Sequence, residues 1–218
     1  MKLPVASYTF LRDWHNCPHK AYRKYIKRDL PKFVHTKESK WGDDVHTALE
    51  VRVKHETPLP SGMEKFEPIA AALFKAGATA EKMLGITADG DACDFFARDV
   101  WLRGKVDVTV IQQPKAAIFD YKTGKKREER NELEIHAVLL KAWLPTIQTV
   151  TGHFVWLQGE PEVGRPFDVS DTEKTLAEVR STMNTVANCM EVEDFPKRRN
   201  PLCGWCDVLD CEYNTKGR

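Results

Sequence analysis

The chain has 218 residues, of which 42% are hydrophobic and 30% charged, and 33 basic against 32 acidic side chains leave a formal charge of +1. This composition predicts one ordinary globular domain, or two very small ones, and excludes a uniformly basic nucleic-acid coat protein. The apolar runs are far shorter than the roughly 20 residues of a membrane span, and residues 1–10 lack the apolar stretch of a signal peptide. We therefore expect neither membrane insertion nor export, and a cytoplasmic location.

Three helices are predicted in the first part of the chain. Apolar and aromatic side chains recur at near-helical spacing over Ser7–Lys27, Lys40–Lys54 and Glu67–Leu84. Pro68 is compatible with the third helix because proline is tolerated in a first turn. His46 lies one residue off the apolar stripe of the second helix.

Strands are predicted next. Alternating or β-branched stretches cover Cys93–Arg98, Trp101–Ile111 and Ala116–Tyr121, and the residues 112–115 between the last two are typical of a turn. The sequence therefore predicts a meander of strands with a tight connection after Ile111.

The remaining elements are a helix over Arg130–Trp143, a strand over Val150–Leu157 and a helix that begins at the capping box Ser170–Glu173. The order of helices, strands, helix, strand and helix predicts an α/β fold with a central mixed sheet flanked by helices. Because no repeat or flexible linker interrupts the chain, we expect a single domain over 1–218.

Cysteine spacing indicates a metal site. The cysteines are Cys17, Cys93, Cys189, Cys203, Cys206 and Cys211. Three of them form a C-x2-C-x4-C group near the end of the chain, and in a cytosolic protein such a group favours zinc or an iron-sulfur cluster over disulfides. Cys17 is the preferred fourth ligand, whereas Cys93 and Cys189 lie in apolar patterns that are typical of core cysteines.

Two carboxylates and a lysine occur at the predicted strand pair. Asp107 lies in one strand, and Asp120 and Lys122 share one face at the end of the next. An antiparallel register can bring Asp107 beside them. Hard oxygen ligands that hold Mg²⁺ or Mn²⁺, with a lysine beside them, suit phosphodiester hydrolysis.

Three ordered motifs and the cysteines carry a family resemblance. The motifs are Gly42-x3-His46-x2-Leu49-Glu50, Gly104-Lys105-Val106-Asp107 and Asp120-Tyr121-Lys122-Thr123-Gly124. From Ser7 to Tyr213 the sequence resembles the PD-(D/E)XK nuclease superfamily. Within it, the sequence is similar to RecB-like exonucleases, including CRISPR-associated ones, that carry an iron-sulfur cluster.

The resemblance implies a role for each motif. His46, Asp107, Asp120 and the Tyr121 carbonyl would bind Mg²⁺ or Mn²⁺, and Lys122 would be the catalytic lysine. The four cysteines, Cys17, Cys203, Cys206 and Cys211, would hold a 4Fe-4S cluster, for which zinc is the alternative. The implied architecture is a restriction-endonuclease-like core over 40–190, with cluster-binding segments 7–32 and 195–213 joined by the cysteines.

The helix after the lysine departs from the family pattern. Glu132 and His136 stand where the family usually has the glutamine and tyrosine of Q-x-x-x-Y. Glutamate near a scissile phosphate repels it unless the glutamate reaches a metal or a basic neighbour. His136 is a candidate active-site residue, and Glu81 stands where many members carry an additional acidic residue.

The resemblance implies a metal-dependent DNA exonuclease of recombination, repair, phage or CRISPR DNA processing. Single- or double-stranded DNA ends would be its substrate, a helicase or recombination protein could be its partner, and its location would be a bacterial or phage-infected host cytoplasm. Basic runs over Arg12–Lys32, Lys122–Arg130 and Lys197–Arg199 could contact phosphates. The stacking surfaces for single strands would be Tyr22, Tyr25, Phe195 and Trp205. The alternatives are a catalytically weak DNA-binding subunit of a recombination complex and a zinc-stabilised interaction module.

Overall fold

In the computed structural model of the chain, residues 3–31 and 34–215 are described. The chain divides into two compact units, one formed by Met1–Val34 with Ala177–Arg218 and the other by His35–Leu176. Within the described ranges, no helix has both the length and the apolar character needed to cross a membrane. The single domain over 1–218 stays a prediction.

The helices are α1 (Tyr8–Asn16), α2 (Pro18–Ala21), α3 (Lys37–His55), α4 (Glu67–Lys75), α5 (Arg130–Trp143) and α6 (Thr172–Glu191). Shorter helical turns are the π-helix Tyr22–Lys27 and the 3-10 helices Glu64–Phe66 and Pro201–Trp205. The strands are β1 (Thr79–Ile86), β2 (Ala92–Cys93), β3 (Leu102–Gln112), β4 (Lys115–Lys122), β5 (Thr149–Trp156), β6 (Glu162–Val163) and β7 (Phe167–Asp168).

One mixed sheet organises the second unit. In the described part of the chain its strand order is β2-β1-β3-β4-β5-β6, and β7 also pairs with β5. The β4–β5 pair is parallel and is connected by the crossover helix α5, while the other pairs are antiparallel. The predicted α/β fold with a mixed sheet flanked by helices is confirmed.

Helices cover both faces of this sheet. Val155 of β5 packs in a buried cluster with Leu49 of α3 and Leu73 of α4. Gly152, three residues earlier on the same strand, instead faces Leu133 of α5, whose Cδ1 would lie 3.2 Å from an added Cβ. Because odd and even positions of a strand point to opposite faces, α3 and α4 lie on one side and α5 on the other.

The predicted third helix is wrong after Lys75. Gly77 has φ +70°, a left-handed conformation that suits glycine and ends α4. The residues that follow form β1, in which Met83 and Leu84 pair with Lys105 and Gly104 of β3. The predicted strand Cys93–Arg98 is also wrong beyond Cys93, where the chain turns.

Two helix boundaries differ from prediction. The helix over Ser7–Lys27 is interrupted at Cys17, which is extended (φ −164°, ψ 105°) because Pro18 disfavours helical geometry in the residue before it. At α6, the Ser170 hydroxyl accepts the Val150 N–H (2.9 Å) instead of capping the helix. Asp171 caps it, since its carboxylate accepts the Lys174 N–H (3.2 Å).

Aromatic packing holds the first unit together. The rings of Tyr22 and Phe195 stack with centroids 3.9 Å apart, and Trp14 meets Phe195 edge-on at 6.4 Å. Met183 and Val186 of α6 are buried. The predicted cluster-binding segments 7–32 and 195–213 both fall in this unit, apart from Lys32, which lies outside the described residues.

Candidate active site

The backbone pairing of β3 and β4 ends just before Asp107 and Asp120. The antiparallel ladder runs from Gln112↔Lys115 to Val108↔Phe119, and the next pair in register is Asp107 and Asp120. There the Tyr121 N–H donates to Asp107 Oδ2 (2.9 Å). A side chain thus takes a backbone hydrogen bond at this position, and the carboxylates lie at the opening between the strands.

Side chains of β3 alternate between the two faces of the sheet, and this alternation is interrupted next to Asp107. Gly104 faces α5, because an added Cβ would lie 2.9 Å from Leu139 Cδ1, whereas Val108 packs with the α3–α4 cluster. Residues four apart on a regular strand share a face. The change coincides with Glu81 of β1, which falls across from Asp107 in the register and has φ +49°. The irregularity therefore lies at the predicted metal ligand.

Helix α3 brings His46 to this opening. Gly42 permits close approach to the end of β4, since an added Cβ would lie 3.0 Å from Thr123 Oγ1. One turn later, His46 Nδ1 lies 3.4 Å from Asp107 Oδ1 and the imidazole meets the Tyr121 ring edge-on at 5.7 Å. Burial opposes protonation of His46, but contact with Asp107 outweighs it and raises the pKa of the imidazole.

Lys122 is held between two carboxylates. Its Nζ lies 2.7 Å from Asp120 Oδ2 and 2.6 Å from Glu132 Oε2. Burial opposes the charged amine, but Asp120 and Glu132 outweigh it and raise the pKa of Lys122. The structure thus gives Glu132 the basic neighbour that a glutamate in this position requires.

The two aspartates differ in their pKa shifts. Burial, followed by the charge of Glu132, raises the pKa of Asp120 to about 8, although Lys122 opposes this. Burial acts in the same direction on Asp107, but His46 and the Tyr121 N–H lower its pKa overall. Asp120 is therefore the carboxylate whose negative charge is less well compensated.

His136 is buried against β3. Its side chain is 4% exposed, and its Cδ2 would lie 3.0 Å from a Cβ at Gly104, so the glycine makes room for the ring. Among the described residues its Nδ1 has no hydrogen-bond partner. Burial lowers the pKa of the imidazole, which favours a neutral ring beside the carboxylates.

Two glutamates flank the site on the side of β1. Glu81 Oε1 lies 2.6 Å from Lys105 Nζ, and Glu50 Oε1 lies 2.5 Å from Lys54 Nζ. The hydrogen bond between Glu50 and Glu81, together with the contact with Lys54, lowers the pKa of Glu50 against the effect of burial. Sequence reasoning did not single out Glu50 as a site residue, although its position one helical turn after His46 was an available signal.

The acidic opening between β3 and β4 fits a divalent cation chemically. Over residues 3–31 and 34–215, no three His, Cys, Asp or Glu side chains stand in an arrangement ready to hold a metal ion, and Lys122 and His46 pair with the carboxylates. Asp120, however, is a 5% exposed carboxylate crowded by Glu132 and Asp107. Such a group is stabilised by a hard cation, for which carboxylate oxygens are the preferred ligands.

Four cysteines line one pocket in the first unit. They are Cys17, Cys203, Cys206 and Cys211. The Arg198 N–H donates to Cys17 Sγ (3.5 Å) and the Asn200 N–H to Cys203 Sγ (3.4 Å), while burial raises the pKa of Cys206. All six cysteines are free, and Cys93 and Cys189 are half-buried and do not line the pocket.

Asparagine side chains fix the loops around this pocket. Asn200 Nδ2 donates to the Asn16 carbonyl (3.0 Å), and Asn214 Nδ2 donates to the carbonyls of Cys206 (2.9 Å) and Val208 (2.8 Å). His19 also lines the pocket. Sequence reasoning missed these residues, although the position of His19 two residues after Cys17 was a signal.

Many residues of the predicted basic and aromatic surface are engaged internally. Arg23 pairs with Asp29 and Asp210, and Lys126 pairs with Glu162. Among the proposed stacking rings, Tyr22 and Phe195 stack on each other, and Tyr25 donates to Asp13 (2.7 Å). Trp205 differs, since it is 76% exposed.

The family model of the PD-(D/E)XK nuclease superfamily matches residues 65–211, and the chain belongs to this superfamily. The matched range contains Asp107, Asp120, Lys122 and the last three cysteines. A comparison with curated proteins gave no match.

Two crystal structures share the fold. One is of the protein SSO0001, with 15% identity and a TM-score of 0.54 over 98% of this chain and 88% of that one. The other, from Eubacterium rectale, is described as a "Putative exonuclease", with 13% identity and a TM-score of 0.58 over 99% of this chain and 88% of that one. At these identities the likeness concerns the fold alone.

Proposed function

We propose that this nuclease-superfamily chain is an exonuclease that hydrolyses DNA phosphodiester bonds with Mg²⁺ or Mn²⁺. His46, Asp107, Asp120 and the Tyr121 carbonyl would bind the cation, and Lys122 would be the catalytic lysine. The observation that carries the proposal is the convergence of Asp107, Asp120 and Lys122 where β3 and β4 separate. This convergence supports the proposal because it brings two carboxylates and an ammonium group into one opening.

A bound divalent cation would lower the pKa of a water molecule and offset charge on the phosphate. The protein's own contribution is positional. The Tyr121 N–H fixes Asp107, and the ion pair with Glu132 keeps the Lys122 ammonium beside Asp120, where it can orient water or stabilise developing negative charge. His46, in contact with Asp107, supplies a nitrogen donor that Mn²⁺ accepts as well as oxygen.

Action from DNA ends is the finer part of the proposal. It is supported by the resemblance to RecB-like exonucleases and by the fold shared with the Eubacterium rectale protein described as an exonuclease. On the same basis we place the activity in recombination, repair, or phage or CRISPR DNA processing, with single- or double-stranded ends as substrate and a helicase or recombination protein as a candidate partner.

We also propose a 4Fe-4S cluster at the cysteine pocket, with zinc as the alternative. The support is that four thiols line one pocket and that two of their sulfurs accept backbone N–H groups, contacts that favour a thiolate. Iron, sulfide and zinc analysis of protein purified without oxygen distinguishes the two. Such a cluster would connect Cys17 to the C-terminal segment and would stabilise the fold rather than perform the hydrolysis.

A catalytically weak DNA-binding subunit is the second candidate. The observation that favours it is the Glu132 carboxylate beside Lys122, where the family usually has a neutral glutamine. This reading predicts DNA binding without cation-dependent cleavage.

The test of the exonuclease is a comparison of linear and covalently closed circular DNA in Mg²⁺, Mn²⁺ or EDTA, with Asp107→Asn as the inactive control. We expect cation-dependent loss of linear DNA only, and none with the variant. Cleavage of the circle would show an endonuclease, and binding without cleavage of either substrate would establish the second candidate.

A further inference from the structure

Glu132 is placed on the site by the packing of its own helix. The neighbouring α5 residues Leu133, Ile135 and His136 are buried, so the helix has a fixed rotation against the sheet. The Glu132 side chain is mostly buried and its Oε2 lies 2.6 Å from Lys122 Nζ. A carboxylate held this close to an ammonium forms an ion pair, whereas glutamine in the same place would accept the hydrogen bond but bring no negative charge.

Lys122 therefore has two partners, of which only Asp120 would bind the cation. Asp120 is a proposed cation ligand, and an Asp120 side chain that binds a divalent ion gives up part of its contact with Lys122. Glu132 lies on the other side of the ammonium, 2.6 Å away, and is not among the proposed ligands. Without it, cation binding would leave a mostly buried ammonium with no anionic partner and next to a second positive charge.

We propose that Glu132 is a positioning residue that holds Lys122 in place when Asp120 binds the divalent cation, and that it thereby increases the affinity of the site for the cation. The inference rests on the proposed function and assigns a reason to the glutamate that this chain has in place of glutamine. Lys122 would otherwise compete with the cation for Asp120. With Glu132 present, the lysine keeps the Glu132 carboxylate as its partner and stays in place when its contact with Asp120 weakens.

Two simpler roles for Glu132 predict a different result. If Glu132 attracts the cation by its charge alone, or binds it directly, its removal weakens cation binding whether or not Lys122 is present. If it acts through Lys122, the effect depends on the lysine. A double-mutant cycle separates these cases because it isolates the coupling between two side chains.

The experiment is titration calorimetry of the full chain with Mn²⁺ and no DNA, on wild type, Glu132→Gln, Lys122→Met and the double variant. We expect Glu132→Gln to weaken Mn²⁺ binding about tenfold in the presence of Lys122, equivalent to ~1.4 kcal/mol. In the Lys122→Met background, the factor by which Glu132→Gln weakens Mn²⁺ binding should be at least about fivefold smaller. Equal losses in the two backgrounds, or a larger loss in the absence of the lysine, would overturn the inference.

The matched control is Glu134→Gln, which makes the same chemical change two residues away on α5 and should leave Mn²⁺ binding as in wild type. Thermal unfolding of each variant in EDTA verifies that all are folded. In cleavage assays at saturating Mn²⁺, Glu132→Gln should lower kcat with little change in KM for DNA, because Lys122 is displaced while the DNA surface is intact. Equal kcat values for the variant and wild type would contradict a positioning role.

The outcomes also separate this inference from the proposed function. A wild type that shows the coupling in Mn²⁺ binding but cleaves no DNA overturns the nuclease alone. A wild type that cleaves DNA but gives an additive cycle overturns the role of Glu132 alone. A wild type that does not bind Mn²⁺ overturns both.

Discussion

Asp120→Asn should stabilise the metal-free protein at neutral pH while removing its activity. Burial raises the pKa of Asp120 to about 8, from 3.8 in the unfolded chain. Below pH ~4 the carboxyl is protonated in both states and imposes no electrostatic penalty on folding. As the pH rises towards about 8, the unfolded chain releases the proton and the folded protein retains it, so stability is lost over this window.

The magnitude follows from the same values. At pH 7 the difference corresponds to roughly three pKa units, or at most ~4 kcal/mol at 1.36 kcal/mol per unit. Because Asp120 shares its site with Lys122, Glu132 and Asp107, we expect about 2–4 kcal/mol. Asparagine removes the penalty but keeps a side chain of similar volume.

The assay is urea unfolding of wild type and Asp120→Asn in EDTA between pH 4 and pH 9. The variant should gain stability that grows with pH and vanishes near pH 4. Added Mn²⁺ should stabilise the wild type more than the variant, since only the wild type keeps the proposed ligand. A variant that is less stable at pH 7, or a difference that does not change with pH, would refute the reasoning.

Three further predictions concern other parts of the molecule. Gly104→Ala should lower the free energy of unfolding by about 1–3 kcal/mol in urea titrations, because its Cβ would lie within 3.0 Å of α5 side chains; an unchanged midpoint would contradict this. Cys206→Ser should lose bound iron or zinc on elemental analysis whereas Cys189→Ser should not, and equal metal content in both would exclude the proposed site. His46→Ala should weaken Mn²⁺-supported cleavage more than Mg²⁺-supported cleavage, as an imidazole suits Mn²⁺ better; equal losses would argue against a direct ligand.

Local sequence patterns predicted the elements that carry the site. The helix over Arg130–Trp143 has the bounds predicted from its periodicity, and β3 and β4 differ from prediction by one residue at each end. A short turn joins β3 and β4, so their register, and hence the proximity of Asp107 and Asp120, follows from local spacing.

The wrong predictions arose where a single backbone conformation, or a partner distant in sequence, determines where an element begins or ends. Gly77 alone ends α4, and the apolar residues after it suit a strand as well as a helix until β3 is available to pair with them. Ser170 is the first residue of a capping-box pattern, but its hydroxyl accepts a hydrogen bond from the Val150 N–H in β5. Gly77 is a local signal, whereas the pairing of β1 with β3 and the contact of Ser170 with Val150 depend on residues distant in sequence.

The residues of the candidate site could be named from the sequence, but the contacts among them could not. The contact between His46 and Asp107 and the room that Gly104 leaves for His136 both join elements that are distant in sequence. The ion pair of Glu132 with Lys122 depends on the rotation of α5 against the sheet. The catalytic and metal-binding roles of these residues stay predictions.

The most direct test of the central claim is digestion of end-labelled linear DNA, single- and double-stranded, in Mg²⁺, Mn²⁺ or EDTA by wild type and Lys122→Ala. We expect the wild type to release label only when a divalent cation is present, and Lys122→Ala to lose this activity while it remains folded. Cleavage by Lys122→Ala at the wild-type rate, or in EDTA, would contradict it.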